Sequence, residues 1–404
     1  MTSPHAPARP LRLFYAAGPG DVAGTFEHWL AGRDDPRELA MTYSGQFFDL
    51  CKRRGAEAMV VASHPRYADV SHDGIRVLHR PVPWQDRGGV RYHAGQIRYA
   101  RWLAREARRF GAEVVVAANL THWFALGPLP RETRLVPALH CVLWPVTRPP
   151  GRTQRQLNRL NRAVFARRAA AVLSISDDAS LQAREVAGGV TVPVVPFVPT
   201  YRPARLAQTV PPPASRQPFR LLYAGRIERN KGVFLLIDAL AAALAQLGPG
   251  RVTLDMCGDG SQLAALRQAV QDRGLGEVVA LHGHVPHDVM RARLDAAHAV
   301  VVPTTTDFVE GFNKVVVEAV LCGRPCITSR VCPALEHVRD AVVEVEPDSA
   351  PDYARAIITL AGQADVYERA QQACARLREP FLDPARGWAA ALERALDQPV
   401  ARRA

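Results

Sequence analysis

Strand-length apolar runs alternate with helix-length segments along this chain, and the alternation starts twice. The first series opens with Leu11-Arg12-Leu13-Phe14-Tyr15-Ala16-Ala17, which runs into Gly18-Pro19-Gly20. It continues with strand candidates at 57–62, 113–117, 134–140 and 171–175, separated by helix-length segments such as 92–110 and 153–168. Ala207 to Pro218, with its Pro211-Pro212-Pro213 run, reads as a linker. The pattern then begins afresh, with strands at 219–224, 252–257, 278–281, 299–303 and 325–328 and helices at 232–246, 261–273, 287–296 and 313–322. Strand, helix, strand at this spacing specifies parallel, doubly wound sheets, because parallel neighbours need a crossover between them.

A chain of 404 residues exceeds what one hydrophobic core usually serves. We therefore expect an α/β protein of two Rossmann-like domains: an N-terminal one at 1–206, a linker at 207–217, a C-terminal one at 218–380 and a helix-like tail at 381–404. Hydrophobic residues make up 48% and charged residues 22%, the balance of a globular chain. No stretch reaches the roughly 18 uninterrupted apolar residues of a membrane span. Met1 to Pro10 lacks an apolar signal core, which points to the cytoplasm. Seven cysteines are scattered through apolar contexts and read as buried free thiols; no spacing completes a zinc site.

The net charge of +12 comes from arginine, since Lys52, Lys231 and Lys314 are the only lysines. Such a bias reads as genomic composition, which weakens any inference from charge to nucleic acid. It also makes Lys231 and Lys314 stand out. Lys231 belongs to Gly225-Arg226-Ile227-Glu228-Arg229-Asn230-Lys231-Gly232, which joins a strand to a helix. Lys314 belongs to Glu310-Gly311-Phe312-Asn313-Lys314-Val315-Val316-Val317-Glu318, which also follows a strand and enters a helix. There an α/β sheet presents loops and helix N-termini to anionic ligands. Arg226 and Lys231 supply two cations for a diphosphate, and Glu310 and Glu318 supply carboxylates for sugar and ribose hydroxyls.

The first of these segments resembles the G-R-x4-K-G signature of retaining glycosyltransferases of family 4, and the second resembles that family's E-x7-E element. The resemblance covers roughly 219–345 and extends more faintly over 10–200. It implies the GT-B fold, with two domains facing an interdomain cleft, and a tail that returns to the N-terminal domain. It implies transfer of a hexosyl-type sugar from a nucleoside-diphosphate sugar, with no cofactor. Arg226 and Lys231 would then face the leaving diphosphate, Glu310 the transferred sugar and Glu318 the ribose hydroxyls. Backbone amides of Gly311, Phe312 and Asn313 would point at sugar and phosphate oxygens, with Lys314 a further phosphate contact or a solvated charge. His140, at the end of its strand, would sit near the reacting carbon. Gly18 and Gly20, where relatives often carry paired glycines, would approach the donor closely. Gly225, Gly258 and Gly260 would shape turns at the nucleotide, and Gly283-His284-Val285-Pro286 the pocket for the base. No Asp-x-Asp occurs in the chain, so Arg226 and Lys231 are expected to replace a bridging metal ion.

The resemblance implies an acceptor that is a glycan, a lipid-linked molecule or a small molecule. Gly24 to Gly45, dense in charge and aromatics, is expected to replace the short helix usual after the glycine loop and to select the acceptor. Trp29, Trp84, Trp123 and Trp144 are candidates for sugar stacking or for core. Arg98, Arg101, Arg105 and Arg108, and again Arg152, Arg155, Arg159 and Arg162, fall on single helical faces. Each set is either a solvated face or a docking stripe for an anionic membrane. Competing readings are a sugar-nucleotide epimerase or phosphorylase of the same architecture, and a basic binding protein without catalysis. Nothing in the chain matches a nucleic-acid-binding motif.

Overall fold

The computed structural model describes residues 9–398 except residue 208. The N-terminal residues 1–8 and C-terminal residues 399–404, on which the expectations for the leader and the end of the tail partly rest, lie outside the described residues. The described chain divides into two compact units. The first comprises residues up to 143, 150–200 and those from 384 onward; the second comprises 144–149 and 201–383. The boundary thus falls at Tyr201, ahead of the proline run, where the Tyr201 amide donates to the Phe381 carbonyl. Trp144–Pro149 joins the second unit, and Arg148 there pairs with Asp307 at 3.5 Å.

The first unit is built on an eight-stranded sheet. In chain order its strands are β1 (Arg12–Pro19), β2 (Glu57–Ser63), β3 (Ala68–His72), β4 (Ile75–His79), β5 (Val114–Ala118), β6 (Arg134–Leu139), β7 (Val172–Ser174) and β8 (Val194–Pro196). Across the sheet they run β3-β4-β2-β1-β5-β6-β7-β8, parallel except for the β3–β4 pair. Every residue of β5, Val-Val-Val-Ala-Ala, is buried, as expected of a strand covered on both faces. The antiparallel hairpin departs from the all-parallel expectation for a local reason. Asp73 and Gly74 both take positive φ, the backbone of a two-residue hairpin turn, and His72 pairs with Ile75 across it.

Helices α1 (Val22–Leu30) and α2 (Tyr43–Arg54) follow β1, α3 (Gly89–Phe110) follows β4, α4 (Arg152–Ala163) follows β6, and α5 (Asp177–Ala187) follows β7. A helix follows the glycine loop, with Asp21 capping α1 by accepting from the Gly24 amide, so the segment Gly24 to Gly45 contains most of that helix rather than replacing it. The remaining segment is pinned by Arg37, which bridges Asp21 and Asp35 at 2.6 Å each. The C-terminal helix Trp388–Asp397 belongs to this first unit. Its Trp388 is fully buried beside Tyr15, Tyr43 and Phe47. Arg134 donates to the carbonyls of Ala395, Leu396 and Gln398, so a cation satisfies the helix's orphan acceptors.

The second unit holds a six-stranded, wholly parallel sheet of β9 (Phe219–Ala224), β10 (Val252–Cys257), β11 (Val279–Gly283), β12 (Ala299–Val302), β13 (Cys326–Ser329) and β14 (Val342–Val345). Their order is β11-β10-β9-β12-β13-β14. The short α6 (Pro203–Leu206) precedes it; α7 (Val233–Leu247), α8 (Leu263–Asp272), α9 (His287–Ala296) and α10 (Lys314–Leu321) connect its strands. Leu236, Ile237 and Leu240 of α7 close one face of this core against Leu221, Leu254 and Val301. None of the seven cysteines forms a disulfide, and among the described residues no helix is long and apolar enough to cross a membrane.

Candidate active site

In the second unit strand order reverses between β9 and β12, so the crevice outside their carboxyl ends is where a doubly wound sheet binds ligands. Both sequence motifs flank that point. The loop after β9 is Gly225–Gly232, and the loop after β12 runs from Pro303 to Asn313. The Thr305 amide and hydroxyl both reach the Asn230 carbonyl, which ties the two loops together.

Glu310 is buried and accepts four hydrogen bonds. Its Oε2 lies 2.7 Å from Lys231 Nζ, 3.0 Å from Asn313 Nδ2 and 3.2 Å from Thr304 Oγ1, while its Oε1 takes the Gly311 amide at 3.1 Å. An ionised carboxylate with this many donors is held in one orientation. Lys231 Nζ also lies 3.7 Å from the centre of the Phe308 ring, and the Arg226 guanidinium sits 5.6 Å from the same ring. Phe308 thus gathers both cations of the first motif; no spacing pattern had marked it. Arg226 is exposed and makes no salt bridge among the described residues, although Glu228 lies near enough to feel its charge. Tyr223 Oη donates to the Arg226 carbonyl at 2.6 Å and fixes the turn that presents it. Burial pushes the Tyr223 phenol far up, with Glu310 adding to the effect, so it acts only as a neutral donor.

The motif glycines are explained by backbone approach. Gly232 has φ +72°, and a Cβ there would lie 1.8 Å from the Pro303 carbonyl oxygen. A Cβ on Gly258 would lie 1.8 Å from the Gly225 carbonyl oxygen. The Gly258-Asp259-Gly260 turn is pressed onto Gly225–Ile227, with the Ile227 amide donating to the Asp259 carbonyl. Glu228 secures the contact by accepting from the Ser261 amide and hydroxyl at 2.9 and 2.7 Å. The Gly258 amide donates to Gly283, which brings Gly283–Pro286 beside this turn.

Asn313 is the N-cap of α10 in a left-handed conformation, yet its side chain makes no capping bond. The side-chain amide is spent on Glu310 instead, so Asn313 does not cap the first turn of α10 with its side chain. Lys314 opens that helix, and Glu318 stands one turn later, half-buried, with its Oε1 3.5 Å from Tyr201 Oη. Glu318 is therefore outside the Glu310 cluster. The Phe312 ring points into the core against His337 and Phe381, which leaves only its backbone for a ligand.

In the first unit the reversal lies between β1 and β5. Gly18 and Gly20 follow β1, and Gly18 packs against Asn119, the first residue after β5. His140, just past β6, is buried in an aromatic cluster, 4.3 Å from the Tyr43 ring and 5.5 Å from Phe197. Sequence reasoning missed a second pair at this rim. His122 is buried, with Nδ1 2.7 Å from Thr121 Oγ1 and Nε2 2.9 Å from His93 Nδ1 of α3. Burial, with His93 adding to it, pushes the His122 pKa down to about 4, so the ring is neutral. Of the four tryptophans considered, Trp123 and Trp144 are buried, Trp29 bonds Asp49 at 2.8 Å, and Trp84 alone is largely exposed. Among the described residues no group of three or more His, Cys, Asp or Glu is placed to hold a metal ion.

Residues 218–363 match the family described as Glycosyl transferases group 1. The chain is 35% identical over 176 residues to a D-inositol 3-phosphate glycosyltransferase of Pseudarthrobacter chlorophenolicus, covering 42% of this chain and 40% of the relative. It is 35% identical over 116 residues to a glycogen synthase of Mycobacterium tuberculosis, covering 28% and 26%. The chain thus spans less than half the length of these relatives. Among solved structures, trehalose-6-phosphate from E. coli bound with UDP-2-fluoro glucose aligns over 96% of this chain and 99% of that one, with TM-score 0.73 and 12% identity. WaaG, a glycosyltransferase involved in lipopolysaccharide biosynthesis, aligns over 97% and 100% with TM-score 0.65 and 16% identity. Both share the two-domain GT-B fold with this chain.

Proposed function

Residues 218–363 form a Glycosyl transferases group 1 domain, and from that premise we propose that the protein is a retaining glycosyltransferase, family 4-like, that uses a nucleoside-diphosphate sugar. The observation that carries the reading is the convergence of Lys231, Arg226 and Glu310 at the strand-order reversal of the second unit. As the bond between the anomeric carbon and the β-phosphate oxygen breaks, negative charge grows on that oxygen. Lys231 and Arg226 stabilise it more in the transition state than in the ground state, which is the condition for catalysis.

Glu310 accepts hydroxyl protons of the transferred hexosyl-type sugar, and Glu318 accepts those of the ribose. Backbone amides of Gly311, Phe312 and Asn313, at the start of α10, take phosphate or sugar oxygens, with Lys314 beside them. The turns at Gly225, Gly258 and Gly260 let the backbone approach the nucleotide, and Gly283–Pro286 borders its base. Gly18, Gly20 and His140 carry the roles toward the donor sugar that the family resemblance implies. The acceptor hydroxyl attacks the anomeric carbon on the face the diphosphate leaves, its proton passes to the departing β-phosphate oxygen, and configuration is retained. Two protein cations perform the neutralising role that a bridging metal ion performs elsewhere, so the reaction needs no metal. The acceptor is a hydroxyl of a glycan, a lipid-linked molecule or a small molecule.

The test is a transfer assay with UDP-, GDP-, ADP- and dTDP-sugars against a panel of glycans, inositol phosphates and lipid-linked acceptors. Release of a nucleoside diphosphate coupled to a new α-linked product supports the reading. Inversion at the anomeric carbon contradicts the retaining assignment, and absence of turnover with every donor contradicts the function.

A further inference from the structure

Phe308 belongs to neither sequence motif, yet both cations of the first motif lie over its half-buried ring. Lys231 Nζ stands 3.7 Å from the ring centre and the Arg226 guanidinium 5.6 Å. Both are inside the roughly 6 Å within which the face of an aromatic ring attracts a cation.

Three successive threonines hold the loop that carries this ring. Thr304 Oγ1 donates to Glu310 Oε2 at 3.2 Å, and Thr305 Oγ1 donates to the Asn230 carbonyl at 3.2 Å. The Thr306 amide and hydroxyl both donate to the Asp348 carboxylate. The Phe308 amide then donates back to the Thr305 carbonyl at 3.1 Å. The backbone beneath the ring is therefore anchored by bonds that involve neither Lys231 nor Arg226.

An ammonium has three N–H donors. Among the described residues the hydrogen-bond acceptor of Lys231 Nζ is Glu310, at 2.7 Å, and the ring covers a second direction. A third donor is left for a ligand oxygen. A second carboxylate in place of the ring would also hold the ammonium, but it would repel an incoming phosphate. The π face attracts the cations, excludes water and carries no net charge to oppose the anion. It also offsets the repulsion between two like charges gathered at one ring.

We propose that Phe308 is a positioning residue for sugar transfer, its ring face holding Lys231 and Arg226 where charge develops on the leaving diphosphate. The proposal rests on the transferase reading, and its test separates the failure of one from the failure of the other.

The experiment replaces Phe308 in the full chain with Tyr, with Leu, and with phenylalanine carrying two or five ring fluorines. Fluorine drains electron density from the ring face at nearly constant shape. The first readout is nuclear magnetic resonance of lysine labelled with carbon-13. Lys52, Lys231 and Lys314 are the only lysines, so Lys231 is assigned by the signals lost in Lys231→Gln. Its ε-methylene protons should be shifted upfield by the ring, an effect that Tyr keeps and Leu abolishes. This arm needs no substrate and no activity. The second readout is kcat and donor KM with a sugar nucleotide that wild type turns over. Phe308→Leu should lower kcat roughly 10-fold with a smaller change in KM. The fluorinated rings should lower kcat stepwise at unchanged melting temperature, and Tyr should retain it. Absence of turnover by wild type with every donor defeats the transferase reading and this assignment with it. Normal wild-type turnover with full kcat in the five-fluorine variant, or with no ring shift at Lys231, overturns the role of Phe308 alone.

Discussion

Lys231 Nζ lies 2.7 Å from Glu310 Oε2, with side-chain exposures of 15% and 8%, so a cation from one motif and a carboxylate from the other form one buried pair. Removing either partner strands the other in a poorly hydrated site. Lys231→Ala should lower turnover about 100-fold or more, through loss of a charge contact at the leaving diphosphate. Lys231→Arg should rescue little, because the planar fork cannot reproduce a compact ammonium over Phe308. Steady-state kinetics with a saturating sugar nucleotide measures both, and normal turnover of Lys231→Ala rejects the assignment.

Arg226 and Glu318 should separate in their kinetic effects. Arg226→Ala should depress kcat on the same scale as Lys231→Ala, about 100-fold. Glu318→Ala should mainly raise the KM for the donor, since ribose contacts are equal in ground and transition states. Equal losses of kcat in both variants would place Glu318 at the reacting centre instead.

Gly232 is required by geometry. Its φ of +72° and the 1.8 Å approach of a Cβ to the Pro303 carbonyl oxygen leave no room for a side chain. Gly232→Ala should destabilise the fold by about 2 kcal/mol or more. Urea denaturation reads the change, and a shift below about 0.5 kcal/mol would show that the two loops separate without cost.

The pH dependence of stability should carry a signature of His122. Its folded pKa of about 4 lies below the usual histidine value near 6.5. The unfolded chain therefore binds a proton at this ring between about pH 6.5 and 4, while the folded chain does not. Stability is fully present above that window and falls as pH drops through it, by at most about 1.4 kcal/mol per pH unit. The difference in stability between wild type and His122→Gln, followed by denaturation from neutral to acid pH, should shrink across the window. A constant difference would mean that His122 titrates normally.

Chelation should leave transfer intact. Activity retained in EDTA agrees with Arg226 and Lys231 neutralising the diphosphate, while loss with rescue by Mg²⁺ contradicts it.

Much of this architecture is legible in the sequence, and the exceptions have physical causes. Strands 219–224 and 252–257 and helix 287–296 fall where the apolar runs place them, because buried parallel strands read as continuous hydrophobic stretches. The β3–β4 hairpin escapes notice because β3 is an exposed edge strand without an apolar face, and Asp73-Gly74 was its only signal. The helix α1 was masked by the charged residues that pin its flank. At the site, the glycines, cations and carboxylates are visible from spacing. Phe308 is not, since its role depends on where two separate loops meet. Nor is the His93–His122 contact, which joins residues 29 apart through a helix packing onto a loop.

The most direct test is a thermal-shift panel of UDP, GDP, ADP, dTDP and CMP against wild type and Lys231→Ala. The account predicts that one diphosphate raises the melting temperature of wild type, and that the shift disappears in the variant. An equal shift in both proteins would place the phosphates away from Lys231 and contradict the site built around its pair with Glu310.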